Sequence, residues 1–249
     1  MVGGVFEAGL SAGRRRGATI GSGADYDEDG LYGPRDANRQ RAAEPQSAVS
    51  RAITAVARLV VPIVLLLTTF IASYLYNDTT LASLGMAVDG LTLGAVLLPT
   101  AFFASHLTNR RYGPGYAFWQ IVATWLIAAA LFTVARKYLG TSALPVPFAT
   151  ARLAWTFLAA LFSAEVVGVV VFDAARGPHW WSAPLFASLW AGAVFCLIYY
   201  PAAFLGTGSA WVTEFLIHLA LMAAMAVLLA IPYWLLRAIV RPLPGFGGY

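Results

Sequence analysis

One carboxyl group dominates the chemistry available to this chain. Glu165 stands inside the apolar run Leu161-Phe162-Ser163-Ala164-Glu165-Val166-Val167-Gly168-Val169, with no lysine or arginine within a helical turn of it. An anion left against hydrocarbon costs several kcal/mol, so Glu165 must turn inward and be protonated, paired or bound to a ligand. Two pairs at i,i+4 spacing extend the inventory. His106 and Arg110 share one helix face, and so do Glu214 and His218, with Trp211 a turn before Glu214. A carboxylate, imidazoles and a guanidinium suit recognition of a small polar molecule or proton-linked movement. Each also has a plainer role: Glu165 as a neutral carboxyl bonded to a neighbouring helix, Arg110 as a headgroup anchor, and Glu214–His218 as a self-satisfied pair.

Other chemistries lack their residues. His106 and His218 have no third ligand at a recognisable spacing, so no metal site is expected. No Gly-x-Ser-x-Gly and no phosphate-cradling glycine loop occurs, and Gly206-Thr207-Gly208-Ser209 reads as a turn. The chain is therefore expected not to be an enzyme and to carry no cofactor. The single cysteine, Cys196, excludes an intrachain disulfide. Trp180–Trp181 and Tyr199–Tyr200 read as interfacial aromatic belts at the two ends of one apolar run, or else as a stacking surface for a planar ligand. Ser73, Thr68 and Thr69 are expected to bond back to their own helix.

The elements that carry these residues follow from hydropathy. Hydrophobic residues make up 59% of the chain and charged residues 11%, against about a quarter charged in an ordinary soluble domain. Between residues 60 and 240 the sequence is nearly continuous apolar chain broken by short polar stretches. The runs cover 53–75, 91–107, 116–135, 149–172, 181–204 and 211–238, each close to the roughly 20 helical residues that cross a hydrocarbon core. The expectation is an all-α bundle of six transmembrane helices over residues 51–241, embedded in a lipid bilayer. Pro62, Pro201 and Pro232 fall inside these runs and should bend their helices.

Residues 1–50 form a separate segment rich in Gly, Ala, Ser, Arg and acids, expected to be a disordered cytoplasmic tail without a secretory signal. Residues 242–249 form a short second tail. With the N-terminus inside, the cytoplasmic side collects eight N-terminal arginines with Arg110, Arg111, Arg176, Arg237 and Arg241. The opposite side keeps only Arg136, Lys137 and Arg152. This asymmetry places both termini in the cytoplasm of a multi-pass inner-membrane protein, and the net charge of +4 reads as a topology signal rather than a nucleic-acid footprint.

Several stretches resemble the queuosine precursor transporters, also described as a vitamin-uptake-like membrane family. They are Gly94-Ala95-Val96-Leu97-Leu98-Pro99 leading into Ser105-His106-Leu107-Thr108-Asn109-Arg110-Arg111-Tyr112-Gly113, then Ala151-Arg152-Leu153-Ala154 continuing through Glu165 to Val171-Phe172. Trp180-Trp181-Ser182-Ala183-Pro184 with Ser188, and Pro232-Tyr233, complete the set. In register they cover most of residues 70–236. The resemblance implies six spans, an architecture similar to the substrate-capturing subunits of energy-coupling-factor transporters, and import of 7-cyano- or 7-aminomethyl-7-deazaguanine. It implies a ligand site drawn from Glu165, His106, Arg110, Arg152, His218 and Trp181. A deazaguanine shows a ring N–H beside an exocyclic amine, which one carboxylate can accept together, while arginine or histidine meets its carbonyl and aromatic rings stack on it.

The sequence also departs from that family. His106 and His218 replace acids, Met222 replaces a lysine, and Gly192 and Phe195 replace a polar pair. Two other readings stand beside import: a substrate-binding subunit that works with a separate energising module or as a homo-oligomer, and a non-transporting scaffold whose tail recruits a cytoplasmic partner.

Overall fold

A computed structural model describes residues 47–84, 91–140 and 150–243. Most of the expected tail 1–50, Asp89, the start of the fourth run at Ala149 and nearly all of 242–249 lie outside the described residues. The described residues are mostly α-helical, with a 3-10 turn at Ala82–Leu84, short connecting turns and an isolated antiparallel bridge between Thr80 and Thr92. The helices are α1 Ala48–Leu75, α2 Leu93–Leu97, α3 Pro99–Tyr112, α4 Pro114–Leu139, α5 Ala151–Ala174, α6 Ser182–Phe204 and α7 Trp211–Leu236. Their starts are written locally. Thr92 and Thr150 cap α2 and α5 by accepting from the Ala95 and Leu153 amides at 3.1 and 3.2 Å. Pro99 and Pro114 sit in the first turns of α3 and α4. Gly113, at φ 84°, makes the sharp corner between those two helices.

Among the described residues, five helices are long and apolar enough to cross a membrane: Val49–Leu75, Pro114–Tyr138, Ala151–Ala174, Ser182–Phe204 and Trp211–Leu236. The second expected run differs. It breaks at Leu98–Pro99 into α2 and α3, because the proline lacks the N–H that would continue the ladder. The second half of α3 also carries Ser105, His106, Thr108, Asn109, Arg110 and Arg111, which keeps it below the hydropathy of a spanning helix. Leu98 itself stays helical at φ −54°, ψ −42°, so α2 and α3 run on in nearly one direction.

The bundle has two distinct ends. At one, Arg110 Nε donates to the Val240 carbonyl at 3.0 Å, and Arg176 Nη2 donates to the Asn109 carbonyl and Oδ1 at 2.7 and 2.9 Å. The Leu243 amide reaches the Arg111 carbonyl at 3.0 Å. These bonds tie together the C-terminal ends of α3, α5 and α7. At the other end, Arg152 donates to the carbonyls of Ala202 and Leu205, both at 2.9 Å, holding the start of α5 to the end of α6.

Small residues let α5 and α6 approach closely. Ala160, Ala164, Ala187 and Ala191 are fully buried, and Phe195 and Cys196 fill the seam toward α7. Outward faces are apolar instead, with Val61 and Leu65 on α1, Trp190 and Leu197 on α6, and Val227 and Leu228 on α7 all exposed. Faces of that kind belong against hydrocarbon, not water. Thr68 and Thr69 bond back to the Val64 and Leu66 carbonyls as expected. Ser73 does not: its hydroxyl crosses to the Gly94 carbonyl at 2.8 Å, because Gly94 lets the start of α2 touch the α1 backbone.

A candidate site between α3, α5 and α6

The helix-end network fixes α3 against α5, and that placement buries a polar cluster. Asn109 Nδ2 donates to the Val169 carbonyl at 3.0 Å, one turn beyond Glu165. This contact sets the register that brings Ser105 alongside Glu165. Glu165, Ser105 and His106 are each about 1% exposed. His106 Nε2 lies 3.0 Å from Ser188 Oγ of α6, and its ring stacks on Phe172 with centroids 5.3 Å apart. The ring edge lies against Gly168, close enough that a β-carbon there would sit 3.5 Å from His106 Cε1. Three helices therefore converge on one buried patch.

The Ser105 hydroxyl faces the Glu165 carboxyl as a hydrogen-bonding neighbour, while His106 Nδ1 and Glu165 Oε1 have no hydrogen-bond partner in the protein. Buried polar atoms are normally satisfied, and each left open costs about 1–3 kcal/mol. Two more stand on α4, where Gln120 Oε1 and Thr124 Oγ1 are open on fully buried side chains. Gln120 spends its amide on the Pro62 carbonyl of α1 at 2.8 Å, bracing that helix at its proline. Gln120 and Thr124 flank Ile121, which packs with Ala104 of α3 and Val169 of α5. Chemically, the patch offers a carboxyl, a hydroxyl and an imidazole nitrogen to a ligand with both donors and acceptors.

The remaining expected site residues lie elsewhere. Arg110 is buried rather than anchored in headgroups, with its guanidinium 5.9 Å from the Tyr233 ring and its Nε committed to Val240. Arg152 holds the opposite end of the bundle. His218 is buried in a second cluster, with Nδ1 3.0 Å from Tyr200 Oη and its ring edge-on to Phe195. It does not pair with Glu214, which is exposed one turn away. Trp181 is 40% exposed and stacks on His179 at 5.8 Å, away from the patch. Tyr199 and Tyr200 form no belt; both are buried in the aromatic core with Phe157, Phe195 and Phe204. Of the six residues, Glu165 and His106 share a site and the others do not join it.

Sequence reading missed Gln120 and Thr124. The available signal was weak: two small-to-medium polar groups one turn apart in an otherwise apolar run. The substituted positions show a common pattern. Gly192 lies so close to Met222 that a β-carbon would come within 2.7 Å of Met222 Cβ, and Phe195 stacks on Tyr199 at 5.4 Å. Among the described residues no group of three His, Cys, Asp or Glu side chains could hold a metal ion. No protein-family model, curated protein or solved structure matches this chain.

Proposed function

We propose that the protein is a six-span inner-membrane transporter with cytoplasmic termini that imports a small planar nitrogen heterocycle, a 7-deazaguanine precursor of queuosine. The observation that carries this reading is the buried patch in which His106 Nδ1 and Glu165 Oε1 stand open beside the Ser105 hydroxyl. In the proposed complex Glu165 accepts the ring N–H and exocyclic amine side by side, and Ser105 and His106 meet the heterocycle's carbonyl and remaining acceptors. The resemblance in the α2–α3 and α5 sequences supplies the substrate class. His218 Nε2 is open as well, but in a separate cluster with Tyr200 and Phe195 that the proposed contacts do not include.

The test is uptake of labelled 7-cyano-7-deazaguanine by cells unable to make it, with wild type against Glu165→Gln. The amide keeps the volume but offers one acceptor and a misplaced donor, which leaves a ligand N–H unpaired. That costs about 1–3 kcal/mol, or roughly ten- to a hundred-fold in apparent affinity. Expression and thermal stability should stay near wild type. Equal uptake by both proteins would make Glu165 interhelical glue and remove the proposal's central contact.

A further inference from the structure

A cavity of about 210 Å³ opens between α1, α4 and α5, in the half of the bundle away from the Arg110 end. Its walls are Leu67, Phe70, Ile71, Leu131, Phe157 and Leu161, with other apolar neighbours. Ser73 also borders it, but its hydroxyl is already given to Gly94. A dry cavity of about 150 Å³ suffices to admit benzene, so this one can accept a length of hydrocarbon chain. Along α4 the wall continues through Ala128, Leu131, Phe132 and Ala135 to the helix end. There the Arg136 guanidinium lies 5.8 Å from the Phe132 ring, and Lys137 follows it, exposed. One apolar slot thus leads toward the Arg136 guanidinium, packed on the slot-lining Phe132 near the end of the helix.

We infer that this is a binding site for one phospholipid, its acyl chain in the α1–α4–α5 cavity and its phosphate on Arg136. The occupant follows from surroundings and charge. The helices around the slot turn apolar faces outward, so acyl chains are what reaches it, and apart from Ser73 and Tyr74 its lining is apolar. An acyl chain gains little hydrophobic free energy by leaving bulk lipid, since both environments are apolar. Residence therefore depends on close packing in the slot plus the phosphate contact, and both halves should be necessary. The inference is independent of the transport reading.

Native mass spectrometry of detergent-purified protein, delipidated and then titrated with phosphatidylglycerol, tests it. Wild type should hold one lipid at detergent concentrations that strip the rest. Ala128→Trp and Ala135→Trp, which fill the slot at depth and at its mouth, should each lose that lipid. Arg136→Gln should weaken retention by about fivefold, the scale of one cation beside a membrane phosphate. Val227→Trp, on the outward face of α7, should retain it. Diacylglycerol with the same chains should not be held. Retention unchanged in the two slot-filling variants, equal retention of diacylglycerol, or equal loss in Val227→Trp would each overturn the site.

Discussion

At the scale of residues, the membrane interior makes each polar side chain either a bonded brace or an open group, and this protein has both. Asn109, Gln120 and Arg176 are braces, each spending donors on backbone carbonyls of another element. Glu165 keeps one carboxyl oxygen open. His106 is intermediate: Ser188 fixes Nε2 while Nδ1 is left over. Ser188→Ala should therefore leave both ring nitrogens without protein partners and lower stability by about 1–3 kcal/mol. Thermal unfolding in detergent reads this directly. Ser188→Thr, which restores the hydroxyl, should recover most of the loss, whereas equal Tm values for Ser188→Ala and wild type would show that Ser188 does not hold the ring. The inward orientation of Glu165 was legible from its type and apolar neighbours alone. The partners were not, because Ser105 and Ser188 are small polar residues whose spacing gives no sign of the helix they face.

At the scale of elements, two glycines decide how closely helices meet. A β-carbon on Gly94 would collide with the Ser73 carbonyl and come within 2.7 Å of Asn77 Cα, both backbone atoms that cannot swing aside. At Gly192 the obstacle is Met222 Cβ at 2.7 Å, one bond from the backbone of α7. Overpacking of this kind costs about 1–3 kcal/mol. Gly94→Ala should thus lower the Tm and break the Ser73–Gly94 bond, and Met222→Ala should not rescue it. Gly192→Ala should be rescued in large part by Met222→Ala, and a double-mutant cycle on Tm measures that coupling. Purely additive losses would mean that α6 and α7 shift apart instead. Helix existence was legible because apolar runs of this length have few alternatives. The break at Leu98–Pro99 was also signalled by its proline, yet the run was read as one span, since apolar residues continue on both sides of it.

At the scale of the whole molecule, the question is whether α2 and α3 together make a crossing. Five apolar helices alone would leave the two ends of residues 49–243 on opposite sides of a membrane. The hydrogen bonds argue for an even number. Ser73 near the end of α1 bonds Gly94 at the start of α2, whereas Arg110 and Asn109 at the end of α3 bond residues beyond α7 and α5. Together, α2 and α3 traverse the bundle from one end to the other in 20 residues, Leu93 to Tyr112, or about 30 Å of helix at 1.5 Å per residue. The polar half of α3 is tolerable at that depth because His106, Asn109 and Arg110 are buried among other helices instead of facing lipid. Single-span hydropathy does not register such a segment, since it scores composition without knowing which face is covered. The proposed six crossings would also gather Arg110, Arg111, Arg176, Arg237 and Arg241 at one end and leave Arg136, Lys137 and Arg152 at the other, the bias expected between cytoplasmic and external loops. Reporter fusions after Arg241 and beside Arg111 should accordingly read cytoplasmic, and a fusion beside Asp78 should read external. If the fusions beside Asp78 and Arg111 report the same side, α2 and α3 do not cross, and the six-span arrangement fails with them.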